Sequence, residues 1–127
     1  MQVHDLVAAL RSLPELRIRE GMREEEAAAS MQLLASFNRC AVGLARFSGE
    51  TPWERHLDDE LLHGLEGEVE VTLLPASGAA LRCTLRPGSV CVVPKGLWHR
   101  QRAESGAALL FATSEQGNET SDAADPR

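Results

Sequence analysis

The chain has 127 residues, 43% of them hydrophobic and 25% charged, with a formal net charge of −6. That length holds one domain around one core. No apolar run approaches the ~18 residues a membrane span needs. The acidic balance and the scarcity of aromatics (4%, no tyrosine) disfavour a nucleic-acid partner. Cys40, Cys83 and Cys91 form an odd set without a C-x-x-C pair, and they read as reduced core thiols of a cytoplasmic protein. The N-terminus lacks the secretory order of basic, apolar and small residues.

Leu6, Val7, Leu10 and Leu13 recur at helical spacing, Asp5 is placed to cap the helix, and Pro14 stops it. Leu16 to Glu20 alternates as a strand that Gly21 ends. Residues 22–29 have helix propensity without an apolar stripe, and they read as a turn of helix or a loop. From Met31 the pattern turns to β. Met31–Phe37 and Cys40–Phe47 form a predicted hairpin around Asn38-Arg39. After Pro52, a strand begins at Trp53 and continues through Glu60 to Leu65, and Gly67 turns it. Val69, Val71 and Leu73 alternate with polar residues, as do Leu81, Cys83 and Leu85. Val90 to Val93 is apolar throughout and runs into the Pro94-Lys95-Gly96 bend; residues 99–103 and 107–112 supply the last strands. Short strands between frequent turns predict an antiparallel sandwich or barrel over residues 31–113, behind an N-terminal helix and arm of residues 1–30. Residues 114–127 carry no apolar pattern and read as a disordered tail, dispensable for folding and binding.

Within the β region, residues 56–67 read HLDDELLHGLEG and residues 88–99 read GSVCVVPKGLWH. His56 and Glu60 stand at metal-ligand spacing on one predicted strand, and His99 arrives from a distant one. These stretches resemble the two signature motifs of the cupin family, G-x5-H-x-H-x3/4-E-x6-G and G-x5-P-x-G-x2-H-x3-N. The chain matches at His56, Glu60, Gly67, Gly88, Pro94, Gly96 and His99. It departs at Ser48 (Gly in the family), Glu54 (His) and Ala103 (Asn). The resemblance implies an all-β fold, the double-stranded β-helix or jelly-roll barrel, and a homodimer. It also implies that the face bearing His56 lines the barrel interior and that His99 completes the cluster.

Side chains two apart on a strand share a face, so Glu54, His56, Glu60 and Leu62 fall together. Imidazole and carboxylate suit a divalent transition metal, here iron, manganese, zinc or nickel. A buried Glu60 without a partner would be costly, and a metal removes that cost. Glu54 leaves three readings open. As a fourth ligand it gives a two-His, two-Glu set that neutralises a divalent ion. Swung out, it leaves the composition of a non-haem iron facial triad. Without metal, Glu54 and Glu60 near two histidines form an organic acid–base site, with either carboxylate as proton carrier.

Gln101, Leu62, Gly64 and Trp98 are the candidate substrate contacts. Gln101 shares parity with His99. Gly64 falls on the pocket face, either to give a ligand room or to mark a bulge. Trp53 and Trp98 are either aromatic walls of the pocket mouth or ordinary rim and core residues. His63, Arg100 and Arg102 face away by parity. Two functions fit: a metal-dependent enzyme acting on a small polar metabolite (oxygenase, isomerase or lyase), or a non-catalytic small-molecule binding or sensing domain, with or without metal.

Overall fold

A computed structural model of the protein describes residues 1–22 and 24–127. Helix α1 (Leu6–Ser12) starts where Asp5 accepts a hydrogen bond from the Ala8 amide and ends before Pro14. Leu10, Leu13 and Leu6 pack inward, while Val7, although in phase with them at one turn, is exposed. Strand β1 is only Leu16–Arg17, pairing in parallel with Phe47 and Ser48. Of residues 22–29, helix α2 takes Glu24–Ala28; Arg23 lies outside the described residues.

Among the described residues nine further strands follow: β2 (Met31–Phe37), β3 (Cys40–Glu50), β4 (Trp53–Arg55), β5 (Glu60–Glu66), β6 (Val69–Leu74), β7 (Leu81–Leu85), β8 (Val90–Val93), β9 (Trp98–Ser114) and β10 (Glu119–Ser121). The predicted β2–β3 hairpin forms, with Asn38 at φ 56°, a left-handed conformation that asparagine tolerates better than most residues. The expected strand from Trp53 to Leu65 is instead two strands broken by a loop at residues 56–59. The two strands expected at 99–103 and 107–112 are one continuous β9, with Gly106 at φ 88° between the halves.

That long strand organises the barrel. Its second half, from Ala107, pairs with β3 on one side and β5 on the other; β2 and β8 extend this first sheet. Its first half pairs with β6 and with β4, and β7 and β10 extend the second sheet. Between the sheets lie Phe47, Leu62, Val69, Val71, Leu85, Val93, Leu109 and Phe111, with Ala103 and Ala107 filling the narrower places. Helix α1 seals the outer face of the first sheet by packing Leu10 and Leu13 on Leu44 and Ala108. Arg46 holds it there, donating to the Leu13 carbonyl and to the Leu10 carbonyl, which also accepts the Leu13 amide at the helix end.

Two expectations need correction. Residues past Ser114 are not a structureless tail. Glu119–Ser121 adds to the free edge of β4, Glu119 pairs with Arg55 at 2.8 Å, and Arg127 donates to the Pro75 and Gly78 carbonyls. An edge strand needs main-chain partners more than a hydrophobic face, so a polar segment can supply one. Cys83 is exposed, not a core thiol, while Cys91 packs against the core edge.

Candidate metal centre

Glu54 sits on β4 directly opposite His99 on β9, so the second sheet presents both on its inner face. Glu60 opens β5 on the first sheet, opposite Val93. His56 comes from the loop between them. That loop is fixed by the bend after β8: the Gly96 amide donates to the His56 carbonyl at 2.9 Å, and the Lys95 amide donates to the Asp59 carboxylate at 2.9 Å. The two motif stretches are thus tied together by one main-chain bond and one bond from a main-chain amide to a side chain. Parity put Glu54, His56 and Glu60 on one face and the family resemblance added His99; the four do meet, although the strand that parity assumed is interrupted.

His56, Glu60 and His99 are buried, and Glu54 keeps 27% of its side chain exposed. Glu60 Oε1 is 3.1 Å from His99 Nε2, and its Oε2 is 3.4 Å from His56 Nε2. Glu54 Oε2 lies 3.6 Å from the same His56 nitrogen. The two rings stand 5.1 Å apart, tilted by 59°. One donor atom each from Glu54, His56 and His99 falls within 4.8 Å of the others.

The outer nitrogens are occupied. His99 Nδ1 faces the Leu97 carbonyl at 3.3 Å, and His56 Nδ1 faces Asn118 Oδ1 at 2.8 Å. The His56 Nε2 atom, by contrast, is buried and has no hydrogen-bond partner among the described residues. Burying a polar atom unsatisfied is costly. Here it points at two carboxylates and a second imidazole, the donor set of a divalent transition ion.

The electrostatics agree with a site built for positive charge. Burial pushes the Glu54 carboxyl up to about 7, helped by the charge of Glu60 and opposed by His99. For His99, burial acts to lower the pKa. The hydrogen bond and charge of Glu60, the charge of Glu54 and the Leu97 carbonyl outweigh it, and the net shift is upward. Glu54 is raised mainly by burial, and His99 is raised by the two carboxylates beside it.

The substrate candidates separate. Gln101 stays on the site face, buried between His99 and Ala103. Leu62 is wholly buried in the apolar core. Gly64 opens no room, because a Cβ there would collide with the Arg86 carbonyl. It lets the Arg86–Ser89 turn close over β5 through Gly64–Ser89 and Gly88–Gly64 main-chain bonds, next to the register shift between Gly64 and Glu66 of β5 against β9. The bulge reading holds and the pocket reading is withdrawn. Trp98 also leaves the site, clustering with Trp53 and Leu74 on the opposite face of the second sheet. Arg55 covers the Trp98 ring at 4.7 Å and Arg100 covers the Trp53 ring at 4.4 Å. Alternation alone could have shown this, since Trp53 and Trp98 each adjoin an inward residue.

Sequence reasoning missed Asn118 and its support. The Asn118 Nδ2 donates to the Ser114 carbonyl, and Ser114 Oγ bonds both the Asp58 amide and its carboxylate. A polar residue in a segment without apolar pattern gave no signal.

The family model for the cupin domain matches residues 46–113, more than half of the chain, and the protein belongs to the cupin family. A structure of a cupin-2 domain protein from Shewanella frigidimarina is 25% identical, covering 68% of this chain and 80% of that one at a TM-score of 0.58. Hydroquinone 1,2-dioxygenase from Sphingomonas sp. TTNP3, solved with 4-hydroxybenzoate bound, is 27% identical at a TM-score of 0.53. That match covers 62% of this chain, which spans only 61% of the dioxygenase. A protein from Neisseria meningitidis shares the fold over 90% of this chain and all of its own, with 24% identity and a TM-score of 0.63. Comparison with curated proteins returned no match.

Proposed function

We propose that this cupin binds a divalent metal ion, iron, manganese, zinc or nickel, through Glu54, His56, Glu60 and His99, and acts on a small polar metabolite as an oxygenase, isomerase or lyase. The buried, unpartnered His56 Nε2, aimed at Glu54 and Glu60, carries this reading. An ion bound there supplies Lewis acidity toward a substrate oxygen. The protein's own groups do the rest. His56, Glu60 and His99 hold the buried side of the site and exclude water from it. Glu54 is the most accessible of the four, and when it is not bound to the ion its carboxyl oxygen can hold or release a proton on the open side. Gln101, one step further along the same face as His99, offers an amide to a polar or carboxylate-bearing substrate.

One observation favours a second reading, a metal-free binding or sensing domain: Glu60 and His99 already satisfy one another at 3.1 Å. Elemental analysis of protein purified without chelator separates the two. Near-stoichiometric metal, or uptake on adding iron, manganese, zinc or nickel, supports the first reading; neither would leave the second. We also propose a homodimer, supported by the exposed apolar strip of Leu61, Val90 and Val92 on adjoining strands β5 and β8. A monomeric mass by light scattering would remove it.

A further inference from the structure

We propose that Asn118 is a positioning residue that locks His56 in the tautomer able to ligate a metal, so that the segment beyond Ser114 acts as a strap on the site. This rests on the metal-binding reading above. The hydrogen-bond network itself determines the orientation. The Ser114 carbonyl can only accept, so the Asn118 amide nitrogen, 2.9 Å away, must face it. The amide oxygen is then left 2.8 Å from His56 Nδ1. That oxygen can only accept, so Nδ1 carries the hydrogen. In the neutral ring the lone pair therefore lies on Nε2, the atom that faces Glu54 and Glu60 without a partner.

Without Asn118 the opposite tautomer gains. A hydrogen on Nε2 would then point toward the Glu60 and Glu54 carboxylates, and the ring would lose its free lone pair toward the site. Asn118 is itself held on both sides. Before it, Ser114 is bonded to Asp58 in the same loop as His56, and Gly117 lies so close to Leu57 that a Cβ would collide. After it, Glu119–Ser121 pairs with Trp53–Arg55. The strap therefore grips the ligand loop and the ligand strand together. Asn118 touches none of the other three site residues through any bond described here; its effect reaches the site through His56.

The test uses the full-length, metal-free protein and reads histidine tautomers by nitrogen NMR at a pH where the ring is neutral, followed by Co2+ titration. Wild type should show His56 protonated at Nδ1. Asn118→Ala should move it toward Nε2–H and weaken Co2+ binding by roughly 10- to 100-fold, as losing an outer partner of a ligand histidine does. Asn118→Asp restores an acceptor and should return both readouts toward wild type. Arg55→Ala loosens the strap at Glu119 without touching Asn118, and should lower the melting temperature while leaving the tautomer alone. An unchanged tautomer in Asn118→Ala, no rescue by aspartate, or an equal shift in Arg55→Ala would overturn the proposal. Wild-type protein that takes up no Co2+ would overturn the metal reading instead, and the tautomer comparison would still decide the role of Asn118.

Discussion

The two halves of β9 obey the same alternation and do opposite work. From Ala107 to Phe111 the inward residues are Ala107, Leu109 and Phe111, each surrounded by apolar neighbours that need nothing further. From His99 to Ala103 they are His99, Gln101 and Ala103, and His99 faces the Glu60 carboxylate at 3.1 Å, the Leu97 carbonyl at 3.3 Å and the His56 ring. Apolar burial is non-directional and satisfied by contact alone. Buried polar atoms demand specific partners, and one of them, His56 Nε2, has none. The apolar half supplies the stability that lets the polar half stay unsatisfied, which is where function is to be sought.

Substitutions on each half should separate these roles. Phe111→Ala should cost the most stability, about 3–5 kcal/mol by denaturant unfolding, with metal affinity of the folded protein unchanged. His99→Ala should behave the other way, weakening Co2+ binding by more than about 100-fold, beyond the loss of an outer partner, as read by titration. Equal damage to both properties in either variant would erase the distinction. Gly64→Ala should destabilise by about 1–3 kcal/mol through its collision with the Arg86 carbonyl, leaving the metal site intact. An altered metal affinity there would return Gly64 to the site.

A pH dependence sharpens the same contrast. The Glu54 carboxyl is raised from 4.5 to about 7 in the fold, so folding favours its protonated form. Its contribution is fully present below 4.5 and is lost as pH rises through about 7. The raised His99 pKa acts in the same direction. The melting temperature of metal-free protein should therefore fall across this window, and Glu54→Gln should flatten the fall. The effect should be moderate, because 27% of the Glu54 side chain remains exposed to screening solvent. Metal affinity should rise over the same range, since ligands must lose protons to bind. The smallest effect is on the outer face: Arg100→Ala should cost about 0.5–1 kcal/mol from its stacking on Trp53, with no change in metal binding.

Much of this was legible in the chain because it depends on short-range periodicity. Alternation put Glu54 with His56 and His99 with Gln101, and it sent Arg100 outward. The same rule would have sent Trp53 and Trp98 outward too, had it been applied to them. Gly64 was ambiguous because a glycine in a strand records only that a side chain is absent. Whether the freed space belongs to a ligand or to another turn depends on residues 86–89, which lie far along the sequence.

By itself, the sequence determined the first helix, its Asp5 cap and its stop at Pro14, the β2–β3 hairpin, and the shared face of Glu54, His56 and Glu60, to which the family resemblance added His99. The first three follow from local spacing, whereas the meeting with His99 depends on the β4–β9 pairing. Only the tertiary structure decided how the tail is used. Residues 114–121 carry no apolar signal, because what they contribute is a backbone edge, an amide and a few hydroxyls. Such groups acquire meaning from the partner they face. Asn118 matters because β9 and β10 bring it to His56, across 62 residues of chain.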